Sequence, residues 1–365
     1  MGATTVLAAA GVCPPGSPHE GWVAIADGRI IDTGSGRAPR DAIDLGDALL
    51  VPGFVDLQAN GVVDVDFASA QPDDWQRAGE LLARHGVTAF CPTFVSAPLS
   101  SYHDALTRAR EAQHNAHVRP TLLGAHLEGP FLGAAPGAHP LDLLLPADVP
   151  WLEQLLAAFP DFVKIVTLAP EADPELGATR MLSAAGVVVA LGHSTASYEA
   201  ARAAADAGAR MVTHLFNGMG PLHHRDPGLA GAALDDDRLV PTLIADLVHV
   251  HPAVLRLAFA RKERIVLVSD VVAVADDTDT SAGAARLADG TLAGATTLLD
   301  GSLANVVGLG VPIERAVALV TSSPADVLGL TDHGRLVAGA RADIVALDPR
   351  SLAVRQTWIG GTIAA

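Results

Sequence analysis

Two histidines end two successive apolar runs in the stretch 187–219, VVVALGHSTASYEAARAAADAGARMVTHLFNGM, where His193 follows VVVALG and His214 follows RMVT. An Ala-rich segment of helical composition joins them, with Ser194 and Thr195 placed to cap its start, Glu199 in its first turn and Gly208 to stop it. One helical crossover between two buried parallel strands brings their carboxyl ends side by side at one rim of a sheet. Neighbouring imidazoles there are metal-ligand geometry; the plain alternative is two unrelated rim or core histidines. Other polar residues decide between the two, because Gln58, Glu128, Asp246 and Asp270 also end apolar runs. Glu128, His193 and His214 make one carboxylate and two imidazoles, a set that suits a borderline divalent ion such as zinc and leaves a position open for water. A cation so held lowers the pKa of bound water and can polarise a carbonyl. Asp270 is then placed to take the proton of an attacking water and return it to a leaving amine. The chemistry is metal-assisted hydrolysis of an amide or related C–N bond.

A frame is needed to bring these residues together. Eight apolar runs (51–58, 87–94, 121–129, 162–170, 187–193, 210–216, 239–246 and 264–270) alternate with helix-length segments such as 72–86, 101–113 and 149–159. Eight strands alternating with helices are the count of an α/β fold of the (β/α)8 TIM-like barrel type, whose catalytic face is the carboxyl end of the strands. Continuous Val/Ile/Leu character fits strands buried on both faces. A doubly wound open sheet is the alternative, but no GxGxxG follows the first strand. Residues 1–51 show short alternating segments, with Asp27-Gly28 as a type I′ hairpin signal, and 337–365 repeat that texture. Neither end can bury a core alone. The expectation is a small β-sandwich formed by both termini beside a barrel spanning 52–336.

The 365-residue chain carries 41 acidic against 24 basic residues, a formal net charge of −17. Such a surface repels nucleic acid and anionic lipid, so neither is expected as a partner. No unbroken apolar run reaches the roughly 18 residues of a membrane span. The start, MGATTVLAAAGVCPPG, has no basic residue before its short apolar part and reads as a first strand rather than a signal sequence. Cys13 and Cys91 form no disulfide or zinc-finger spacing, which agrees with a cytoplasmic protein. An anionic small substrate needs a local basic patch against this field; His223, His224 and Arg225, with His249 and His251 further on, supply a candidate.

The segments PGFVDLQANG, HLEGPFL, LGHSTA, THLFNGM, RDPGLAGAALDD, ADLVHV, LVSD and GRLVAGARADIVALD follow one another along the chain. On these the sequence resembles the amidohydrolase superfamily and, within it, the N-acetylglucosamine-6-phosphate deacetylase group; HLEGPFL, GHS and THLFN are specific to that group, whereas GARADIVALD marks only the superfamily. The resemblance implies hydrolysis of the acetamido group of N-acetylglucosamine 6-phosphate, an anionic sugar phosphate, to glucosamine 6-phosphate and acetate. It further implies a homodimer with one divalent ion per subunit, zinc ahead of iron, cobalt, manganese, nickel or cadmium. By the same resemblance Glu128, His193 and His214 bind the metal, Asp270 is the acid–base catalyst, and Ala138 and His139 lie at the acetyl group, with His139 polarising its carbonyl. Asn217, Gly218, Arg225, Asp246, His249, Thr297, Leu298 and Leu299 surround the sugar phosphate, Arg225 and His249 meeting the phosphate across a dimer interface. Many superfamily members carry His-x-His where this chain has Gln58-Ala59-Asn60, which implies one metal rather than two.

Some residues are read otherwise. Alternation along HLEG is taken to turn His126 away from the face of Glu128, as a residue that supports either the structure or the ligands from behind. Pro136 stands where relatives have a basic residue, and Asp276, Asp277 and Asp279 must face away from a phosphate. Two other readings remain open: an amidohydrolase acting on another N-acyl or cyclic amide, and a non-catalytic sugar-phosphate-binding relative.

Overall fold

A computed structural model describes residues 4–13, 18–115, 117, 119–274, 279–280 and 283–365. Parallel strands follow in chain order as Phe54–Val63, Val87–Val95, Ala125–Glu128, Val163–Leu168, Val188–Leu191, Met211–Val212, Val240–Leu243 and Val266–Leu267, one from each apolar run of the sequence. Each pairs in parallel with its predecessor. After the last, the chain continues into Val271–Ala273, which pairs in parallel with Phe54–Val63. The sheet therefore curls until its final segment meets its first strand. Helices Pro72–Arg84, Tyr102–His114, Val149–Ala158, Gly177–Ala184, Tyr198–Ala207, Gly228–Asp235 and Pro252–Arg261 fill the connections.

The two faces of this sheet are used differently. Phe90, Leu127, Val166, Val189, Val212 and Leu267 pack with helix residues in the largest apolar cluster. The other face carries Leu57, Cys91, Ile165, Met211, Val240 and Val266, a separate cluster made almost wholly of strand residues. Two residues further along four of those strands, on that same face, come Thr93, Thr167, Thr213 and Thr242. They form a buried polar layer with His126, whose Nε2 lies 2.8 Å from Thr167 Oγ1, while Thr167 Oγ1 lies 2.7 Å from Thr213 Oγ1. The Nδ1–H of His126 donates to the Leu57 carbonyl at 3.0 Å. This corrects the reading of His126: a strand has period two, so residues 126 and 128 share a face, and His126 sits directly below Glu128 rather than behind it.

Strands from both ends of the chain share one eight-stranded sheet, ordered Thr362–Ile363, Val354–Ile359, Ile344–Leu347, Leu49–Pro52, Thr5–Val12, His19–Ala26 and Arg29–Ser35, with Ile43–Asp44 beside Thr5–Val12. The ends meet where Leu49–Pro52 pairs antiparallel with Ile344–Leu347. Leu7, Val23, Ile30, Leu50, Ile344 and Trp358 give this sheet a core of its own. Asp27 and Gly28 have φ values of 50° and 76°, the left-handed pair that a type I′ turn requires.

Helix Tyr198–Ala207 ends at Gly208 and has Glu199 in its first turn, but its cap is Ser197, whose Oγ accepts the Ala200 N–H. Ser194 and Thr195 are committed elsewhere, to Glu171. The structure also adds a hairpin absent from the sequence reading, Ala284–Arg286 with Leu292–Ala295, docked on Val271–Ala273.

Replacing Thr167 by Val keeps the side-chain shape but leaves His126 Nε2 and Thr213 Oγ1 without their shared hydroxyl. A loss of about 1–3 kcal/mol in unfolding free energy is expected for buried groups so orphaned. Urea denaturation measures it, and an unchanged midpoint would show that the layer is held by other bonds.

Candidate metal centre

Glu128 ends the third parallel strand, and His193 and His214 follow the fifth and sixth. All three are buried. Glu128 Oε1 lies 3.0 Å from His193 Nε2 and 2.9 Å from His214 Nε2, and the two nitrogens are 3.0 Å apart. Residues 65 and 86 positions apart thus aim three donor atoms at one point. A tetrahedral ion with bonds of about 2.0–2.1 Å spaces its ligands roughly 3.3 Å apart, so a small outward adjustment accommodates a divalent cation. The orientation of His193 agrees: its Nδ1–H donates to the Ala135 carbonyl at 3.2 Å, which leaves Nε2 as the ring nitrogen turned to the centre and available to a cation once it gives up its proton. The residues present therefore fit a metal. Burial pushes the Glu128 carboxyl up, but its hydrogen bonds to His193 and His214 overcome this and hold it well below the usual carboxylate range. Burial alone would lower His214, yet the bond to Glu128 and its charge raise that imidazole to about 9 in the absence of a cation.

The backbone at these positions is unusual. His193, His214 and Asp270 have φ values of 48°, 29° and 51°, a region that costs a non-glycine residue about 1–3 kcal/mol. Surrounding bonds impose it. The His193 carbonyl accepts the Gly133 N–H at 2.8 Å, and the two oxygens of Glu171 accept Ser194 Oγ–H at 2.5 Å and Thr195 N–H at 2.8 Å. The His214 N–H donates to Thr242 Oγ1 at 2.7 Å, and the Asp270 N–H to the Gln58 carbonyl at 2.9 Å. Gly218 serves the same purpose by its lack of a side chain, since a Cβ there would stand 2.6 Å from His193 Nδ1. Glu171 was missed by the sequence reading. Its available signal was that of the other site residues, a carboxylate just beyond a strand end.

Asp270 faces the triad. Its Oδ1 accepts from Gln58 Nε2 at 3.0 Å and Asn60 Nδ2 at 2.8 Å. Burial and then the Glu128 charge push its carboxyl up to about 7, against the opposing pull of His214. His139 stands beside His193, the two ring centroids 4.4 Å apart. The Ser96 backbone N–H donates to His139 Nδ1 at 3.3 Å, so the ring proton resides on Nε2. Burial, helped by His193, pushes His139 down to about 3, which makes it a neutral N–H donor. A ring nitrogen of His139 is within 4.8 Å of the donor atoms of Glu128 and His193, so it borders the centre and could itself approach a cation.

Glu128, His193, His214, Asp270, Asn60, Ala138, His139, Asn217, Gly218 and His249 all line one cavity of about 760 Å³. Asp246 is not on the wall but accepts His249 Nδ1–H at 2.7 Å. Burial pushes the Asp246 carboxyl up, but His249 and two backbone N–H groups hold it below its ordinary value. The new hairpin forms another wall through Arg286, Leu287 and residues 290–294, and Arg286 brings a guanidinium that the sequence reading overlooked. Besides Asp246, four expected residues lie outside this lining. Arg225 is exposed, its Nη1 3.0 Å from His224 Nε2. Thr297, Leu298 and Leu299 lie at the start of helix Leu299–Gly308, and the two leucines are buried in the apolar core. His223 and His224 hold their rings 4.3 Å apart, while His251 caps helix Pro252–Arg261 by accepting the Ala253 N–H. Asp276 and Asp277 lie outside the described residues; the Asp279 carbonyl accepts the Arg286 N–H at 3.1 Å.

The profile of the Amidohydrolase family matches residues 49–364. An N-acetylgalactosamine-6-phosphate deacetylase from Escherichia coli O157:H7 is 38% identical over 95% of this chain and 96% of its own length. An N-acetylglucosamine-6-phosphate deacetylase from Bos taurus is likewise 38% identical, over 94% of this chain and 90% of its own. Among solved structures, a mutant N-acetyl-D-glucosamine-6-phosphate deacetylase from Mycobacterium smegmatis, in complex with N-acetyl-D-glucosamine-6-phosphate, superposes with a TM-score of 0.94 at 35% identity, covering 100% of both chains. A D-hydantoinase shares the fold at 14% identity, with a TM-score of 0.68 over 99% of this chain and 95% of its own.

Two measurements check this geometry. Gly218→Ala should displace the His193 ring and weaken divalent-ion affinity by about tenfold or more, a magnitude ordinary for support of a metal ligand; unchanged affinity would show that the ring tolerates the methyl. Because His214 is protonated below about 9 without a cation, metal uptake must displace that proton. Apparent affinity should therefore rise about tenfold per pH unit from 6 to 8, which competition against a chromophoric chelator reads directly. A flat profile would contradict the paired state of Glu128 and His214.

Proposed function

The chain belongs to the amidohydrolase family, and on that premise we propose that it hydrolyses the acetamido group of N-acetylglucosamine 6-phosphate, releasing glucosamine 6-phosphate and acetate. The observation that carries this is the meeting of Glu128, His193 and His214 at one point, with Asp270 and His139 lining the same cavity. Its relatives are named as amino-sugar phosphate deacetylases, hydrolases of C–N amide bonds.

In the proposed mechanism Glu128, His193 and His214 hold one divalent ion, zinc first among the candidates. When bound, the ion lowers the pKa of water and draws electron density from a carbonyl. His139 donates its Nε2–H to the acetyl oxygen as charge grows there. Asp270 takes the proton of the attacking water through the carboxylate oxygen that Gln58 and Asn60 leave free. It then delivers that proton to the sugar nitrogen as the C–N bond breaks, first a general base and then a general acid. Ala138 and Gly218 shape the wall at the acetyl end, and Asn217 offers its carboxamide to the sugar. His249, fixed by Asp246, meets the phosphate. Arg225 is exposed on its own subunit, which suits a guanidinium that reaches the phosphate bound by the other subunit of a homodimer. Thr297, Leu298 and Leu299 act on the sugar phosphate by supporting the adjoining wall.

The same reading divides the chain into a (β/α)8 barrel at 52–336 and a small β-sandwich of 1–51 with 337–365, supported by the separate core of the terminal sheet. It places the protein in the cytoplasm. Among the described residues no helix is long and apolar enough to cross a membrane, and the net charge of −17 disfavours anionic surfaces. The Escherichia coli relative gives specific support to a second substrate, the C4 epimer N-acetylgalactosamine 6-phosphate.

Acetate release from both epimers, each with and without the 6-phosphate, tests the assignment. The glucosamine derivative with its phosphate is expected to have the highest kcat/KM; preference for the epimer would transfer the assignment, and activity on neither would remove it. Asp270→Asn should keep metal and ligand binding while lowering kcat by roughly 100-fold or more, in line with loss of an acid–base group. Asp270 must be ionised to accept a proton, so kcat/KM should fall as pH drops through its pKa. A bound cation stabilises the ionised form, which places that acid limb below about 7.

A further inference from the structure

Gln58 is fully buried, and its Nε2 donates to two carboxylates at once, Glu128 Oε2 at 3.0 Å and Asp270 Oδ1 at 3.0 Å. A primary amide has two N–H protons, and both are committed here. Asn60 Nδ2 adds a second donor to the same Asp270 oxygen at 2.8 Å. Oδ1 of Asp270 is thus occupied by two amides, which leaves Oδ2 as its free acceptor. The other ends of the two amides are informative too: Gln58 Oε1 and Asn60 Oδ1 are buried without a hydrogen-bond partner. Amides placed only to satisfy the core would pair both ends. Turning either one over would set its oxygen against a carboxylate, so the acids dictate the orientation and the carbonyls are left over.

The main chain already fixes this edge of the sheet without help from the carboxamide. The Gln58 carbonyl accepts the Asp270 N–H at 2.9 Å and Ser269 Oγ–H at 3.2 Å, and the Gln58 N–H donates to Asp56 Oδ1 at 3.2 Å. The side chain therefore has a task separate from holding the strand. Two buried carboxylates near each other repel unless a cation or paired donors lie between them.

We propose that Gln58 is a positioning residue: its carboxamide, assisted by that of Asn60, does with neutral donors what a second cation would do, joining Asp270 to Glu128 and presenting one Asp270 oxygen to the attacking water. The inference rests on the deacetylase reading, with Asp270 as its acid–base group, and deepens it.

Gln58→Met preserves length and bulk and removes both donors. At saturating metal the expected result is a 10- to 100-fold fall in kcat with KM within about threefold, and about tenfold weaker metal affinity by equilibrium dialysis because Glu128 loses a partner. Placed in an Asp270→Asn background, the same substitution should cost less than about threefold, since a residue that acts through Asp270 has nothing left to act on. An equal loss in both backgrounds, a loss confined to KM, or an unchanged kcat would overturn the proposal. Gln58→Glu has the same shape and serves if Gln58→Met does not fold. It places a third acid among the two, so dialysis should count more than one divalent ion per chain; a single ion with wild-type kcat would equally overturn it. Wild-type protein inactive on every acetylated sugar phosphate would instead defeat the functional reading, whereas an active wild type with an unaffected Gln58→Met defeats this inference alone.

Discussion

The structure depends on keeping one ionised carboxylate, Glu128, inside a curled sheet. An isolated carboxylate removed from water is expensive, and it is tolerated only where opposite charge and donors surround it. Here His193 and His214 approach one oxygen and Gln58 the other. The unusual local features around it serve that demand. Three residues adopt left-handed backbone at the strand ends, a glycine lies against the His193 ring, and Glu171 clamps the turn behind it. The same electrostatic arrangement that makes the pocket tolerable without a cation makes it receptive to one.

Below this centre the sheet interior changes character within a single residue pair. The apolar stratum of Cys91, Ile165, Met211 and Val240 gives way to Thr93, Thr167, Thr213 and Thr242, with His126 joining the hydroxyls. Threonine suits this boundary, since its branched carbon packs on a strand while its hydroxyl bonds sideways to a neighbour. Burial pushes His126 down to about 4, so the ring serves as a neutral connector between strands rather than as a second positive charge beneath the metal site. Rigid support of this kind is what a reaction centre needs, because misplacement by even an ångström is costly in rate.

The cavity mouth answers a different problem. A protein with a net charge of −17 must receive an anionic sugar phosphate, so the attraction has to be local. His249 and Arg286 are on the wall, and Arg225 projects from the exposed loop 221–226 toward solvent. The hairpin that carries Arg286 docks on Val271–Ala273, beside the strands that carry Glu128, His193 and His214 rather than among them. Binding determinants can thus vary there without disturbing the hydrolytic centre.

Much of this was legible in the chain itself. Strand positions follow from β-branched runs whose burial on both faces leaves no other use for them, and the type I′ hairpin follows from Asp27-Gly28 because few residues accept that conformation. The meeting of Glu128, His193 and His214 was visible because each ends a run, and a parallel sheet brings such ends to one rim. Long-range partners left no local trace. That Gln58 would join Glu128 and Asp270 across separations of 70 and 212 residues, that Glu171 would hold the His193 turn, and that Arg286 rather than Arg225 would line the cavity all depend on which strands become neighbours. The misreading of His126 was an error of strand period, whereas the misplaced cap at Ser194 arose because a carboxylate distant in sequence claimed its hydroxyl. Periodicity and chemical type are properties of a segment and survive in the sequence; the pairing of buried donors with acceptors is a property of the closed sheet, and only the tertiary structure decides it.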